Sequence, residues 1–141
     1  MIIRTGEIEK QTQGNTQILN LTPDVKHWID NNHIAEGLVT LFVPGSTGAV
    51  TTIEYEPGLL EDLPEFFEKI IPQHQTYHHD RTWHDGNGFA HLRASLLGPS
   101  LSIPIQNGKM ILGTWQQIIF IDFDNRSRTR KLILQFLGTE K

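Results

Sequence analysis

The chain has 141 residues, no cysteine and a formal net charge of −4, with 38% hydrophobic and 20% charged residues. This is the balance of an ordinary globular chain, read as one domain over 1–141, and it excludes a disulfide framework, a thiolate metal site and the broad basic face of a nucleic-acid binder. No apolar run approaches the roughly 18 residues of a membrane span, and Glu7 interrupts the N-terminus, so a soluble, cytoplasmic protein without membrane contact is expected.

Two short strands open the chain, IIRTGEIE and TQILNL, separated by the polar KQTQGN. A helix follows in LTPDVKHWIDNNHIAEG, with Thr22 as its cap, Pro23 in its first turn, Asp24 at the positive end of its dipole and Val25, Trp28 and Ile29 as its apolar stripe. LVTLFV and AVTTIEY are β-branched and aromatic and read as strands around the turn PGSTG. In PGLLEDLPEFFEKIIP, Leu60, Leu63, Phe67, Ile70 and Ile71 recur at helical spacing; Asp62 is expected near the cap, with Pro64 in the first turn because a proline breaks a helix interior.

A histidine-rich loop comes next: His74, His78, His79, His84 and His91 are five of the seven histidines. NGFAHLRASLLG then reads as a short helix, with Asn87 as cap and Gly98 as stop. The last forty residues read as a β-meander. It begins with a hairpin at Gln-Asn-Gly-Lys, since Asn-Gly suits a type I′ turn, and continues through TWQQIIFIDFD, DNRSR and TRKLILQFLG. Both long strands have apolar centres on both faces, which predicts a doubly covered sheet or a subunit interface. The fold class is α+β and β-dominated, an antiparallel β-sandwich or barrel-like core with two or three short helices.

Imidazoles are metal ligands, proton carriers near neutral pH and phosphate partners when charged, and Asp80 and Asp85 are placed to orient them. The spacing matches no strict metal motif. His78 and His79 are adjacent, so on a strand only one could face a given site. His27 and His33 read as surface residues. Glu54 stands in an otherwise apolar strand, where its plainer role is the solvent face of an edge. The turn GSTG, with Ser46 and Thr47, offers backbone N–H groups to an anion or is simply a turn. Arg93 is a phosphate clamp or a solvated helix charge. Arg126, Arg128 and Arg130 read as a basic rim, most simply a solvated strand edge. Trp115 lines a pocket or fills the core.

The segments AHLRASLLG, Ile103-Pro104, Asn107 to Lys109 and Leu112 to Gln116, with GLVTLFVPGSTGAVTTIEYEP upstream, closely resemble the YjbQ-like family, often labelled secondary thiamine-phosphate synthases. The resemblance spans about residues 37–138. It implies a compact β-sandwich-like α+β domain that assembles as a homotrimer, with a catalytic site of His79, His91 and Glu54. Many members carry a histidine where this chain has Gly45. A divalent metal, Mg²⁺ or Zn²⁺, held by His79 and His91 would therefore take its third ligand from Glu54, His78, Asp80 or His84. The implied reaction joins hydroxymethylpyrimidine diphosphate to a thiazole phosphate and releases pyrophosphate. Such a reaction must neutralise the departing charge, and Ser46, Thr47, Arg93 and Ser95 are the expected phosphate contacts, with Trp115 as an aromatic wall. Two other functions fit the same residues: a metal-dependent hydrolase, and a non-catalytic trimeric module that binds an anionic metabolite.

Overall fold

The computed structural model describes all 141 residues. In chain order the elements are β1 (Ile2–Thr12), β2 (Gln17–Asn20), α1 (Thr22–Asn31), β3 (Ile34–Phe42), β4 (Gly48–Glu54), α2 (Pro57–Ile70), α3 (His78–Trp83), α4 (Gly88–Leu97), β5 (Ser100–Gln106), β6 (Lys109–Met110), β7 (Gln116–Asp122) and β8 (Arg128–Glu140). All strand pairings are antiparallel. A five-stranded sheet runs β1-β8-β3-β5-β6, and a three-stranded sheet runs β2-β7-β4. The β-dominated sandwich is thus as the sequence predicts, with four helices rather than two or three.

The apolar pattern of β7 explains the layering. Ile118 and Phe120 point into the core between the two sheets, together with Leu132, Leu134 and Phe136 of β8, Val39 and Leu41 of β3, and Val25 and Ile29 of α1. Ile119, Ile121 and Phe123 point the other way, into a second core with Phe67 of α2 and Phe89, Ala90 and Ala94 of α4. All five side chains in 118–121 and at 123 are fully buried. Each such aromatic or aliphatic group contributes about 1.5–3 kcal/mol relative to exposure. The apolar faces of 117–123 are therefore consumed inside the chain and do not provide a subunit interface.

Four sequence expectations are corrected. The C-terminal strands are not a meander: β7 pairs with β2 and β4, whereas β8 lies between β1 and β3 in the other sheet. The hairpin turn itself is as predicted, with Asn107 and Gly108 both at positive φ (52° and 74°). Its second strand is only two residues long, and the chain then leaves through 111–115 for the second sheet. Helix α2 starts at Pro57, capped by Glu56, whose carboxylate accepts from the backbone N–H groups of Gly58 and Leu59. Asp62 and Pro64 therefore lie within the helix. The missing N–H of Pro64 is tolerated because Leu63 and Phe67 anchor that stretch against the second core. Thr22 does not cap α1; its Oγ1 accepts from Ile118 N at 2.8 Å and ties the helix start to β7. Part of the histidine-rich loop is helical, forming α3.

Gly37 and Gly138 face each other across the β3–β8 pairing, beside a register shift between Ile34 and Glu36. A Cβ on Gly138 would sit 2.0 Å from Glu36 O, so only glycine permits this close backbone approach. No helix is long and apolar enough to cross a membrane.

Candidate functional site

Asp80 fixes the start of α3 against the start of α4. Its Oδ1 accepts from Gly88 N at 2.9 Å and its Oδ2 from Tyr77 N at 3.4 Å, while Tyr77 Oη donates to Pro72 O at 2.5 Å. A Cβ on Gly88 would lie 2.7 Å from that of Tyr77, so the approach depends on glycine. The result brings His79, near the start of α3, against His91, one turn into α4. Their ring centroids are 4.3 Å apart at 40°.

These imidazoles open onto a cleft of about 490 Å³, whose walls are the turn 44–47, Trp83, Asp85, Asn87, Arg128 and Arg130. A smaller hollow of about 180 Å³ shares Gly45, Ser46 and His91 and reaches Ser95. Burial, followed by repulsion from His79, holds the His91 pKa below its ordinary 6.5, so His91 is a neutral imidazole near pH 7. His79 Nδ1 is buried without a hydrogen-bond partner. It stands 3.6 Å from Asp80 Oδ1 and 3.6 Å from Asp85 Oδ1. These three residues offer ligand atoms that all lie within 4.8 Å of one another, an arrangement able to accept a cation.

The floor of the cleft is a buried ionic network. Asp124, with 0% exposure, accepts from Asn87 Nδ2 at 3.2 Å, Thr47 Oγ1 at 3.1 Å, Arg128 Nε at 2.7 Å and Asn125 N at 2.8 Å. Asp122, 1% exposed, accepts two bonds from Arg130 at 2.8 Å and one from Thr12 Oγ1 at 2.6 Å. Burial pushes both carboxyls up, but the hydrogen bonds and the arginine charge outweigh it and hold both below 3.8. One consequence concerns Asn87. It occupies the N-cap position of α4 but its Oδ1 accepts from no backbone N–H there, the side chain being turned so that Nδ2 donates to Asp124. Its Oδ1 is buried with no partner.

The structure sorts the residues singled out in the sequence. His79, His91, Ser46 and Thr47 share the cleft, with Asp80 directly behind His79. Ser95 reaches only the smaller hollow, and its hydroxyl donates to His91 O at 2.8 Å. Arg93 points away into the protein: it is 3% exposed, its Nε and Nη2 donate to Ile71 O, its Nη1 to Thr16 Oγ1 and its Nη2 also to Glu68 Oε2. It is neither a clamp nor a solvated charge. Glu54 and Trp115 lie in a separate cleft with Tyr55 and Gln117. Glu54 is six residues along β4 from Gly48, roughly 20 Å of strand, so within one chain it cannot join the histidines. His78 is exposed, with Nδ1 3.4 Å from Arg81 Nη1, and His84 is the left-handed residue that ends α3. Neither belongs to the His79 group.

Sequence reasoning passed over Asp122 and Asp124 and read Arg128 and Arg130 as a solvated basic rim, whereas they line the cleft paired to those aspartates. The signal was present as two same-face pairs, Asp-x-Asp ending one strand and Arg-x-Arg beginning the next, separated by a tight turn. Arg126 alone of the three arginines is exposed, the other two being half-buried.

The family model described as UPF0047 protein, YjbQ-like, matches residues 6–139. A UPF0047 protein of Archaeoglobus fulgidus is 41% identical over 93% of this chain and 99% of its own length. Another, from Methanothermobacter thermautotrophicus, is 33% identical over 98% of this chain and 94% of its own. The crystal structure of a hypothetical protein from Aeropyrum pernix superposes with a TM-score of 0.89 at 34% identity, covering 96% of this chain and 99% of that one. With a family model spanning nearly its whole length and relatives above 30% identity, the chain belongs to the YjbQ-like UPF0047 family.

Proposed function

We propose that the cleft is the working site of an enzyme acting on phosphorylated small molecules, with thiamine-phosphate synthase activity. The observation that carries this reading is the pairing of His91, held neutral, with His79 and its two carboxylates, directly across from two arginines. In the reaction, the thiazole nitrogen attacks the methylene carbon of hydroxymethylpyrimidine diphosphate. The C–N bond forms, the C–O bond to the diphosphate breaks, and pyrophosphate leaves with the electron pair. No redox partner is required. The rate of such a step depends on stabilising the leaving charge and excluding water.

His79, Asp80 and Asp85 would hold a divalent cation, with Mg²⁺ favoured by the carboxylates and Zn²⁺ by the imidazole. Such a cation supplies positive charge to the departing oxygens. His91, uncharged near neutrality, serves as a hydrogen-bond partner or proton acceptor beside it. Assembly as a homotrimer belongs to this proposal. Its support is an exposed cross-strand row on the outer face of the larger sheet: Ile3, Leu137 and Leu38, in direct register. Light scattering at micromolar concentration tests the mass, and a strictly monomeric reading refutes the trimer.

The synthase reading is tested by incubating the purified chain with the two phosphorylated precursors and Mg²⁺ and separating thiamine phosphate chromatographically. Product should form, and His79→Ala and His91→Ala should each lower turnover by about 100-fold or more. Full turnover in both variants refutes the site. A metal-dependent hydrolase is the second reading, favoured by the His79–Asp80–Asp85 group alone. It requires attack of water on an ester with release of phosphate or alcohol and no other co-substrate, and fails if added Mg²⁺ or Zn²⁺ leaves ester turnover at background.

A further inference from the structure

The two arginines at the start of β8 have more donor capacity than the protein uses. Arg130 directs Nε to Asp122 Oδ2 and Nη2 to Asp122 Oδ1, both at 2.8 Å, and Nη2 also to Thr47 Oγ1 at 2.7 Å. A guanidinium carries its N–H donors in a rigid planar fork, so both N–H bonds of Arg130 Nη1 are free of hydrogen-bond acceptors. Arg128 uses only Nε, toward Asp124. Both of its Nη nitrogens are free as well. Arg130 is held by its two bonds to the buried Asp122 and one to Thr47, and Arg128 is tethered through Nε to the buried Asp124.

These free edges face the cleft. Both arginines line it, together with Gly45, Ser46 and Thr47. A Cβ on Gly45 would meet one atom within 4 Å, Arg130 Nη1 at 3.4 Å, so the missing side chain leaves that nitrogen open to the cleft. Residues 128 and 130 share a strand face and stand roughly 7 Å apart. The backbone N–H groups of Ser46 and Thr47 make no hydrogen bond within the chain.

We propose that Arg128, Arg130 and the Ser46–Thr47 turn form a preorganised oxyanion site that takes a phosphoryl or diphosphoryl group, with Gly45 as the gap through which Arg130 reaches it. This rests on the reading of the cleft as a site for phosphorylated ligands and moves the anion contact from Arg93 and Ser95 to residues on β8. A planar carboxylate, with two oxygens in one plane, can engage only part of a donor set converging from two strand positions and a turn. A tetrahedral phosphoryl group, with terminal oxygens pointing in several directions, can engage the whole of it. The aspartates balance the arginine charge, so recognition depends on the direction of the donors rather than on a net positive field.

Titration calorimetry of the full chain with inorganic pyrophosphate, inorganic phosphate and acetate tests the site. Pyrophosphate and phosphate should bind saturably, and acetate should not. Arg128→Gln should weaken pyrophosphate binding about tenfold or more. Gly45→Val, which covers Arg130 Nη1 without changing any charge, should do the same, and it provides the test should Arg128→Gln fail to fold. Unchanged affinity in the folded variants, acetate binding as tightly as phosphate, or no saturable pyrophosphate binding each overturns the proposal. Thiamine phosphate formation at the parent rate in both variants refutes this anion site and leaves the synthase reading standing. Arginine-dependent pyrophosphate binding with no product from the two precursors does the reverse.

Discussion

Truncating Arg93 measures how firmly α4, and with it His91, is held in place. The guanidinium joins α4 to two other segments: the end of α2, through Ile71 O at 3.0 and 2.8 Å and Glu68 at 2.8 Å, and the β1–β2 connection, through Thr16 Oγ1 at 3.0 Å. The Glu68 side chain is 51% exposed, so that ion pair contributes under about 1 kcal/mol. The bonds to Ile71 O and Thr16 are charge-assisted and screened from water, about 1.5–3 kcal/mol per partner. Stacking of the guanidinium over Phe89, 5.0 Å from the ring centroid, adds about 0.5–1 kcal/mol. Arg93→Ala should therefore lower stability by about 4 kcal/mol. In urea, with a slope of about 2 kcal/mol/M, the midpoint should fall by about 2 M. Arg93→Lys keeps the charge and one bond and should lose about half as much. Calorimetry on the folded Arg93→Lys variant should give pyrophosphate affinity within about threefold of the parent. A midpoint unchanged in Arg93→Ala would refute the structural role. Loss of pyrophosphate binding in Arg93→Lys at unchanged stability would return Arg93 to the ligand.

Other perturbations have equally definite outcomes. The folded state disfavours protonated His91, whose pKa lies below its ordinary 6.5. As pH falls below 6.5 the unfolded chain takes up that proton first, so stability should decline from there down to the native pKa; urea titrations across this range should show the decline, and His91→Gln should flatten it. Asp122 and Asp124 act in the same sense but in a more acidic window, with native pKa values below 3.8. Their stabilisation is present above that value and is lost as pH falls through the native values, so His91→Gln should leave the acid limb intact. Arg130→Met strands the buried carboxylate of Asp122 and should cost about 3–5 kcal/mol, part of it recovered by adding Asp122→Leu, which in turn leaves Asp124 N without its acceptor; thermal melts of the single and double variants decide this, and equal melting temperatures would refute the buried pair. Gly138→Ala drives a Cβ against Glu36 O and the Phe136 ring and should cost about 2 kcal/mol or more by chemical denaturation, with no loss showing that the strands can part there.

Much of the fold was legible in the sequence because local chemistry and tertiary context agree. Asn107-Gly108 takes the positive φ pair of its turn, and Gly98 stops α4 at φ 100°. The apolar run 117–123 reads as a doubly covered strand and is one. Context overrode local rules elsewhere. Pro64 sits inside α2 because burial around Phe67 outweighs one missing hydrogen bond, and Glu56 displaces Asp62 as the cap because it stands immediately before Pro57. The two long C-terminal strands looked like neighbours because only a short turn separates them. Sheet membership depends on pairings such as β1 with β8, over a hundred residues apart in sequence, which no local pattern reveals. The same limit applied at the site. His79 and His91 are twelve positions apart, and their contact depends on Asp80 bridging to Gly88. Arg93 lies buried as a structural tie and Arg130 lines the cleft, because the packing around each, rather than residue type, determines which arginine serves the fold and which faces the cleft.

The place of β8 in the larger sheet has a consequence for biosynthesis. This strand is the last in the sequence, yet it lies between β1 and β3 and pairs with both. Until residues 128–140 leave the ribosome, β1 has no partner and β3 presents an open edge. The larger sheet can close only after residues 128–140 are free to pair, and its decisive contacts join segments more than a hundred residues apart. Such long-range closure makes folding slow and leaves sticky strand edges exposed in the interval. A nascent chain arrested before β8 should therefore be captured by chaperones and cut readily by proteases, and it should become resistant once residues 128–140 have emerged and paired with β1 and β3.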